Sequence, residues 1–239
     1  MNIDVSVNFT FTTGLENIAF EKIIEQFSFL VSESNKLLGQ HYKWYETGYS
    51  KKQALSHLAF DNNKITESTF IKWDKRYKKD TPLFVESVWD GKGDYSSSIN
   101  YRKMFFDQAN RANVELHMVS QNENLDLESF IVLFSNIACY FECSYINADT
   151  KGYRFFDNNV FPDRLSVGWM LYIPAILLPE LIPEAARVIP VMDGEKQKGT
   201  IVVSTEEIFD GENKEHVGKA NDIEIKLLDL GFLPLITEL

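Results

Sequence analysis

The stretch FPDRLSVGWMLYIP, Phe161 to Pro174, decides how the rest of the chain is read, because it joins a turn, a buried strand and a hard stop. Pro162 fixes φ and Asp163 bonds to nearby backbone, so together they favour a turn. From Val167 to Ile173 the run is apolar apart from Gly168, the pattern of a central strand covered on both faces. Gly168 in front of Trp169 predicts a close backbone approach or a bulge beside a large ring. Pro174 has no N–H to give a ladder, so pairing should end there. Gly168, Trp169 and Pro174 are therefore structural positions, and the stretch supplies no catalytic chemistry.

Outward from this strand, the chain alternates sheet and helix signals. Ile3, Val5, Val7, Phe9 and Phe11 alternate with polar residues, which predicts a strand with one buried face. After Gly14 the apolar positions Leu15, Ile18, Phe20, Ile23, Ile24, Phe27, Leu30 and Val31 line one face of a helix, opposite Glu16, Glu21, Lys22 and Glu25. His41–Tyr49 is aromatic-rich and reads as a second strand, and Ser50 caps a short helix over KKQALSHL. Thr66–Lys79 reads as a helix with Phe70, Trp73 and Tyr77 as its apolar stripe and its bases gathered late, as the helix dipole favours. Strands follow at Leu83–Trp89 and Ile99–Phe106 around an Asp90–Asp94 turn, then at Val114–Val119.

A helix over Asp126–Phe141 and a short strand near Ser144–Ile146 lead into the central stretch. Beyond Pro174 the prolines at 179, 183 and 190 punctuate an irregular segment with a short helical piece ending near Arg187. GTIVVS, Gly199–Ser204, is a β-branched strand; Thr205–Asn213 is an acidic connector; and Val217–Leu230 is a helix stopped by Gly231 and Pro234. The expected fold is α+β, a mixed or antiparallel sheet with flanking helices, in one domain over 1–239. A strand–helix–strand echo from Ile3 and again from Val114 is compatible with two pseudo-equivalent sub-halves, 1–110 and 111–239.

Composition narrows the function classes. With 44% hydrophobic and 25% charged residues the chain is ordinary globular material. The start MNIDVSVNFTFTTG has neither a basic n-region nor an unbroken apolar h-region, and the longest apolar runs are shorter than the roughly 18–20 residues of a membrane span. A cytoplasmic protein without a membrane association is expected. Cys139 and Cys143 have neither zinc nor CxxC spacing and read as packing thiols. The net charge of −11 is unevenly spread: residues 1–40 balance to −3, residues 41–111 to +4 and residues 112–239 to −12. An acidic half of this kind repels nucleic acid, so no direct nucleic-acid binding is expected, and it favours encounter with a basic partner.

Enzyme motifs are missing. GxxxxGK[ST], GxGxxG after a strand, HExxH and GxSxG do not occur, and His41, His57, His117 and His216 lack ligand spacing. Pro162-Asp163 and Glu224-Ile225-Lys226 imitate the PD…ExK pattern of metal-dependent nucleases. Glu224 and Lys226, however, lie in a helical pattern that points them apart, so the match is read as fortuitous. Neither a metal nor another cofactor is expected.

The order of landmarks in the C-terminal half, PDR at Pro162–Arg164, VGWMLYIP at Val167–Pro174, KGTIVVST at Lys198–Thr205 and HVGKANDIEIKLLDLGFLP at His216–Pro234, resembles the immunity protein 52 family of bacterial polymorphic toxin systems. WYETGYSKKQAL, Trp44–Leu55, is compatible with it. The resemblance implies a non-catalytic cytosolic protein that binds and neutralises a cognate toxin, in settings such as type VI secretion. The toxin often carries a restriction-endonuclease-like nuclease domain, so the partner would be a protein and the chain a nuclease inhibitor. Gly168, Trp169 and Pro174 match as structural positions, and no toxin-contacting residues carry over. Two segments are therefore candidates from the residues themselves. The first is Glu206, Glu207, Asp210 and Glu212 in the connector, and the second is Tyr42, Trp44 and Tyr45 in the aromatic segment. An enzyme of unrecognised type acting on a small ligand is the alternative.

Overall fold

A computed structural model describes residues 3–14, 18–93, 95–103, 110–120, 125–150, 152–154 and 156–239. Leu15 and Glu16 of the first helical pattern, Asp94 of the turn and the 104–106 end of the Ile99–Phe106 strand lie outside the described residues. The chain runs β1 (Ile3–Thr12), α1 (Phe20–Leu37), β2 (Trp44–Glu46), α2 (Lys51–Ala54), β3 (Leu58–Asp61), β4 (Lys64–Ile65) and α3 (Glu67–Asp80). It continues with β5 (Phe84–Trp89), β6 (Ser98–Lys103), β7 (Arg111–Ser120), α4 (Leu127–Tyr140), β8 (Cys143–Thr150), β9 (Met170–Ile173), β10 (Arg187–Asp193), β11 (Lys196–Val203) and α5 (Lys214–Asp229). The fold is α+β, and every described strand pairing between these elements is antiparallel. The chain forms two compact units: Met1–Ile3 with Thr12–Leu125, and Asp4–Phe11 with Asp126–Leu239.

In the second unit the strand order is β10-β11-β9-β8-β1. All four residues of β9 are buried, and it is paired on both sides, Ala148 facing Met170 and Thr200 facing Ile173. The strand is shorter than the apolar run predicts, because Gly168 takes φ +58° and a Cβ there would stand 2.8 Å from the Ala148 carbonyl oxygen. That bend lets Trp169 donate its backbone N–H to the same oxygen at 3.0 Å. The Trp169 ring is completely buried, edge-on to Phe130 at 5.1 Å between centroids, and its indole N–H donates to the Thr205 carbonyl at 3.2 Å. Pairing of β9 ends at Ile173, before Pro174.

Two expectations need correcting in this unit. Arg187 opens strand β10 and does not end a helical piece, and the helical content of that segment is one 3-10 turn at Pro179–Leu181. Asp193-Gly194 supplies the reversal from β10 into β11, with Gly194 at φ +61°. Pro190 is tolerated because β10 is the last strand in its order and needs donors on one side only. The strand near Ser144 runs on to Thr150, since Ile146 and Ala148 are buried between β1 and β9.

In the first unit the order is β7-β6-β5-β2-β3-β4. Its core is aromatic: Phe27, Phe60, Trp73 and Tyr101 are all buried, with Phe27 stacked on Phe60 at 5.2 Å. Thr66 caps α3, its hydroxyl accepting from the Thr69 N–H at 3.3 Å, and Trp73 and Tyr77 form the buried stripe. The KKQALSHL helix stops after one turn and Leu58 begins β3, because Asn62-Asn63, both at positive φ, turn the chain back into β4. Such a two-residue reversal is a hairpin signal, and it outweighs helix propensity over eight residues.

Candidate partner-binding site

The connector 204–213 leaves β11 and feeds the N-terminus of α5, and it is pinned at both ends. Phe209 is fully buried, its carbonyl accepting from the Thr150 hydroxyl, and its ring stands edge-on to Tyr153 at 5.4 Å. Thr205, also buried, donates its hydroxyl to the Glu207 carbonyl at 2.8 Å. Asn158 donates to the Gly211 carbonyl at 2.9 Å. A loop held this way presents its outward side chains from a fixed frame.

The four connector acids divide by role. Glu206, Glu207 and Glu212 are exposed. Asp210 is half-buried and turned back on the loop: its carboxylate accepts the Glu212 N–H at 3.1 Å, and its own N–H donates to His216 Nδ1 at 3.0 Å. Beside them opens a cavity of about 500 Å³ lined by Phe156, Gly211, Glu212, Lys214, Gly218 and Asn221 among others. Phe156 exposes half of its surface there, and a Cβ at Gly218 would meet nothing within 4 Å.

Glu224 lies in the same unit on α5. It is almost completely buried, and its carboxylate accepts the N–H of Val160 at 2.8 Å, the N–H of Val167 at 3.0 Å and the Tyr153 hydroxyl at 3.0 Å. Asn221, with its amide nitrogen toward Tyr153, donates to that hydroxyl oxygen at 2.7 Å and to the Asn158 carbonyl at 2.9 Å, which leaves the single tyrosine proton for Glu224. Burial raises the Glu224 carboxyl above its ordinary value against the pull of these donors. Burial, then the Glu224 carboxylate, push the Tyr153 hydroxyl up.

This assigns the ExK acid a place. Glu224 straps the two ends of the 160–167 turn to α5 through the N–H groups of Val160 and Val167, and its third donor, the Tyr153 hydroxyl, ties in the 152–154 segment. Among the described residues no group of three or more His, Cys, Asp or Glu side chains could hold a metal ion.

The aromatic segment is divided too. Trp44 is completely buried in the first unit, its indole N–H donating to Asn35 Oδ1 at 3.0 Å, so it faces the core and not the surface that an interface anchor needs. Tyr42 and Tyr45 are half-buried. Tyr42 receives the Lys92 ammonium, 2.8 Å from its hydroxyl and 4.3 Å from its ring centre. Tyr49 is fully exposed on a second cavity of about 500 Å³, with Lys51, Trp89 and Lys92. Gly168, Trp169 and Pro174 lie apart from these surfaces in role, Gly168 and Trp169 immediately before β9 and Pro174 exposed just after it.

The thiols are quiet. Cys143 is buried and its pKa is pushed well up by that burial, and Cys139 is shifted in the same direction for the same reason.

The architecture is that of an α+β protein in two antiparallel units, and solved structures share it. Among them is the Pseudomonas aeruginosa T6SS protein PA0821, 11% identical, with a TM-score of 0.57 over 95% of this chain and 76% of that one. At that identity the likeness is one of fold. No protein-family model matches the chain. No curated protein matches it in sequence. No helix among the described residues is long and apolar enough to cross a membrane.

Proposed function

We propose that this chain is an immunity protein of the kind the immunity protein 52 resemblance implies, a non-catalytic binder that neutralises a cognate nuclease toxin inside the producing cell. The observation that carries the reading is the placement of charge. The second unit holds 9 basic and 20 acidic side chains, so the whole formal charge of −11 belongs to it, and three carboxylates project from its clamped connector. A nuclease cleft is basic because it must neutralise phosphates, and a rigid acidic surface is its electrostatic complement. Glu206, Glu207 and Glu212 are the contact residues in this reading, and Asp210 holds their loop in shape. A fold shared with a T6SS protein is compatible with a role associated with such a secretion system.

Co-expression tests it. The reading predicts that a reading frame beside this chain's gene encodes a protein with a nuclease-like domain, and that protein is induced in a host with and without this chain. Growth restored by this chain is the expected result; growth arrest that persists while the chain is expressed and folded overturns the proposal.

A further inference from the structure

The segment from Pro174 to Pro183, PAILLPELIP, carries five large aliphatic side chains and sorts them sharply. Leu177 and Ile182 are buried, 4% and 1% exposed, in the cluster that includes Leu171, Ile173, Leu227 and Leu233. Ile176, Leu178 and Leu181 stand out, 63%, 57% and 40% exposed. Their exposure is not looseness. The buried Thr200 hydroxyl accepts the Leu177 N–H at 3.0 Å and donates to the Ala175 carbonyl at 2.7 Å. Leu181 and Ile182 close a 3-10 turn onto the carbonyls of Leu178 and Pro179 at 3.0 and 3.1 Å, and prolines at 174, 179 and 183 fix φ around them.

Three large apolar side chains on a loop already ordered are what a binding anchor needs, since little entropy remains to be lost on contact. Charge selects the occupant. Glu180 and Glu184, both exposed, are the only ionisable side chains between Pro174 and Ala186, and they sit in a unit of formal charge −11. A second copy of the chain or an anionic lipid surface would be repelled by that field. A protein surface offering an apolar socket edged by lysine or arginine would be attracted by it.

We propose that Ile176, Leu178 and Leu181 form the desolvated anchor by which this chain grips its basic protein partner. The anchor rests on the immunity reading and adds a second surface to it: the connector governs encounter, and the ridge governs residence.

The test measures binding to immobilised chain of the nuclease-domain toxin that the immunity reading predicts from a neighbouring reading frame. The combined variant Ile176→Ser, Leu178→Ser, Leu181→Ser should dissociate roughly 100-fold faster, the scale of losing a hot-spot cluster, with its association rate within about threefold of the parent. Its denaturation midpoint should be unchanged. If the midpoint moves, the single changes Leu178→Glu and Leu178→Lys decide: the cation, placed against a basic rim, should weaken binding more than the anion does. Parent-like dissociation by the combined variant, or equal losses from the two single changes, overturns the anchor while leaving the immunity reading standing. No binding by the parent chain overturns both. Sedimentation should find the parent monomeric; a dimer that the combined variant dissolves would assign the ridge to a second copy and overturn the proposal.

Discussion

The two units bury acids in opposite ways. In the first, the buried carboxylate of Glu46 accepts the Trp73 indole N–H and pairs with Lys72, each at 2.8 Å, and Glu86 is held by Arg76. Basic and acidic side chains balance there, 15 against 15. In the second, Glu224 is buried on two backbone N–H groups and a hydroxyl. The difference shows what each unit does with charge. Helix α3 uses its cations as fasteners for the sheet beside it. The second unit keeps its fastener neutral on the donor side and leaves its surface carboxylates unbalanced, where a cationic partner can use them.

The comparison is most strongly tested at the centre of the second unit. Trp169→Ala empties a fully buried site and should cost about 3–5 kcal/mol, read from the shift in urea midpoint at constant slope. A loss of well under 1 kcal/mol would mean that the strand it opens is not the organising element.

Next in size is the strap. Glu224→Gln replaces an acceptor-only group by one that must find partners for two N–H donors, and should cost about 1–3 kcal/mol. Because the donors are uncharged, that cost should hardly change with added salt. Glu46→Gln in the first unit breaks a pair with the half-exposed Lys72, and its cost should shrink as salt screens the parent's ion pair. Equal salt responses would erase the distinction between the units.

A further effect is one of pH. Burial pushes Glu86 from 4.5 up to about 7, against the pull of Arg76. The folded unit therefore binds a proton below about 7 that the unfolded chain takes up only near 4.5. Between those values the folded state holds more protons, so stability falls as pH rises through the window. Glu86→Gln should flatten that slope, which thermal midpoints across the window would show.

Much of this frame was legible in the chain. Strict alternation marks β1, Trp73 and Tyr77 mark the buried face of α3, and Gly168-Trp169 marks the bend into β9. These are local patterns with one physical reading. The corrections fall where two signals compete. Pro190 argues against a strand unless that strand is last in its order, which only the topology can say, and Asp193-Gly194 was the signal for the hairpin.

Trp44 reads as a surface aromatic until Asn35, at the end of α1, reaches its indole N–H. In the connector the acids could be found by composition, but the turning of Asp210 back onto the Glu212 N–H could not. The apolar ridge was hidden for the opposite reason. An aliphatic run such as Ile176–Leu178 reads as core, and only the fold shows which of its side chains point outward.

The most direct test of the central claim is the rate at which this chain associates with the nuclease-domain toxin that the immunity proposal predicts for it, measured across ionic strength. Reversing Glu206, Glu207 and Glu212 to lysine should slow association roughly tenfold or more at low salt and flatten its salt dependence. Association that proceeds at the parent's rate in low salt after that reversal would contradict the claim that the unbalanced charge of the second unit serves a basic partner.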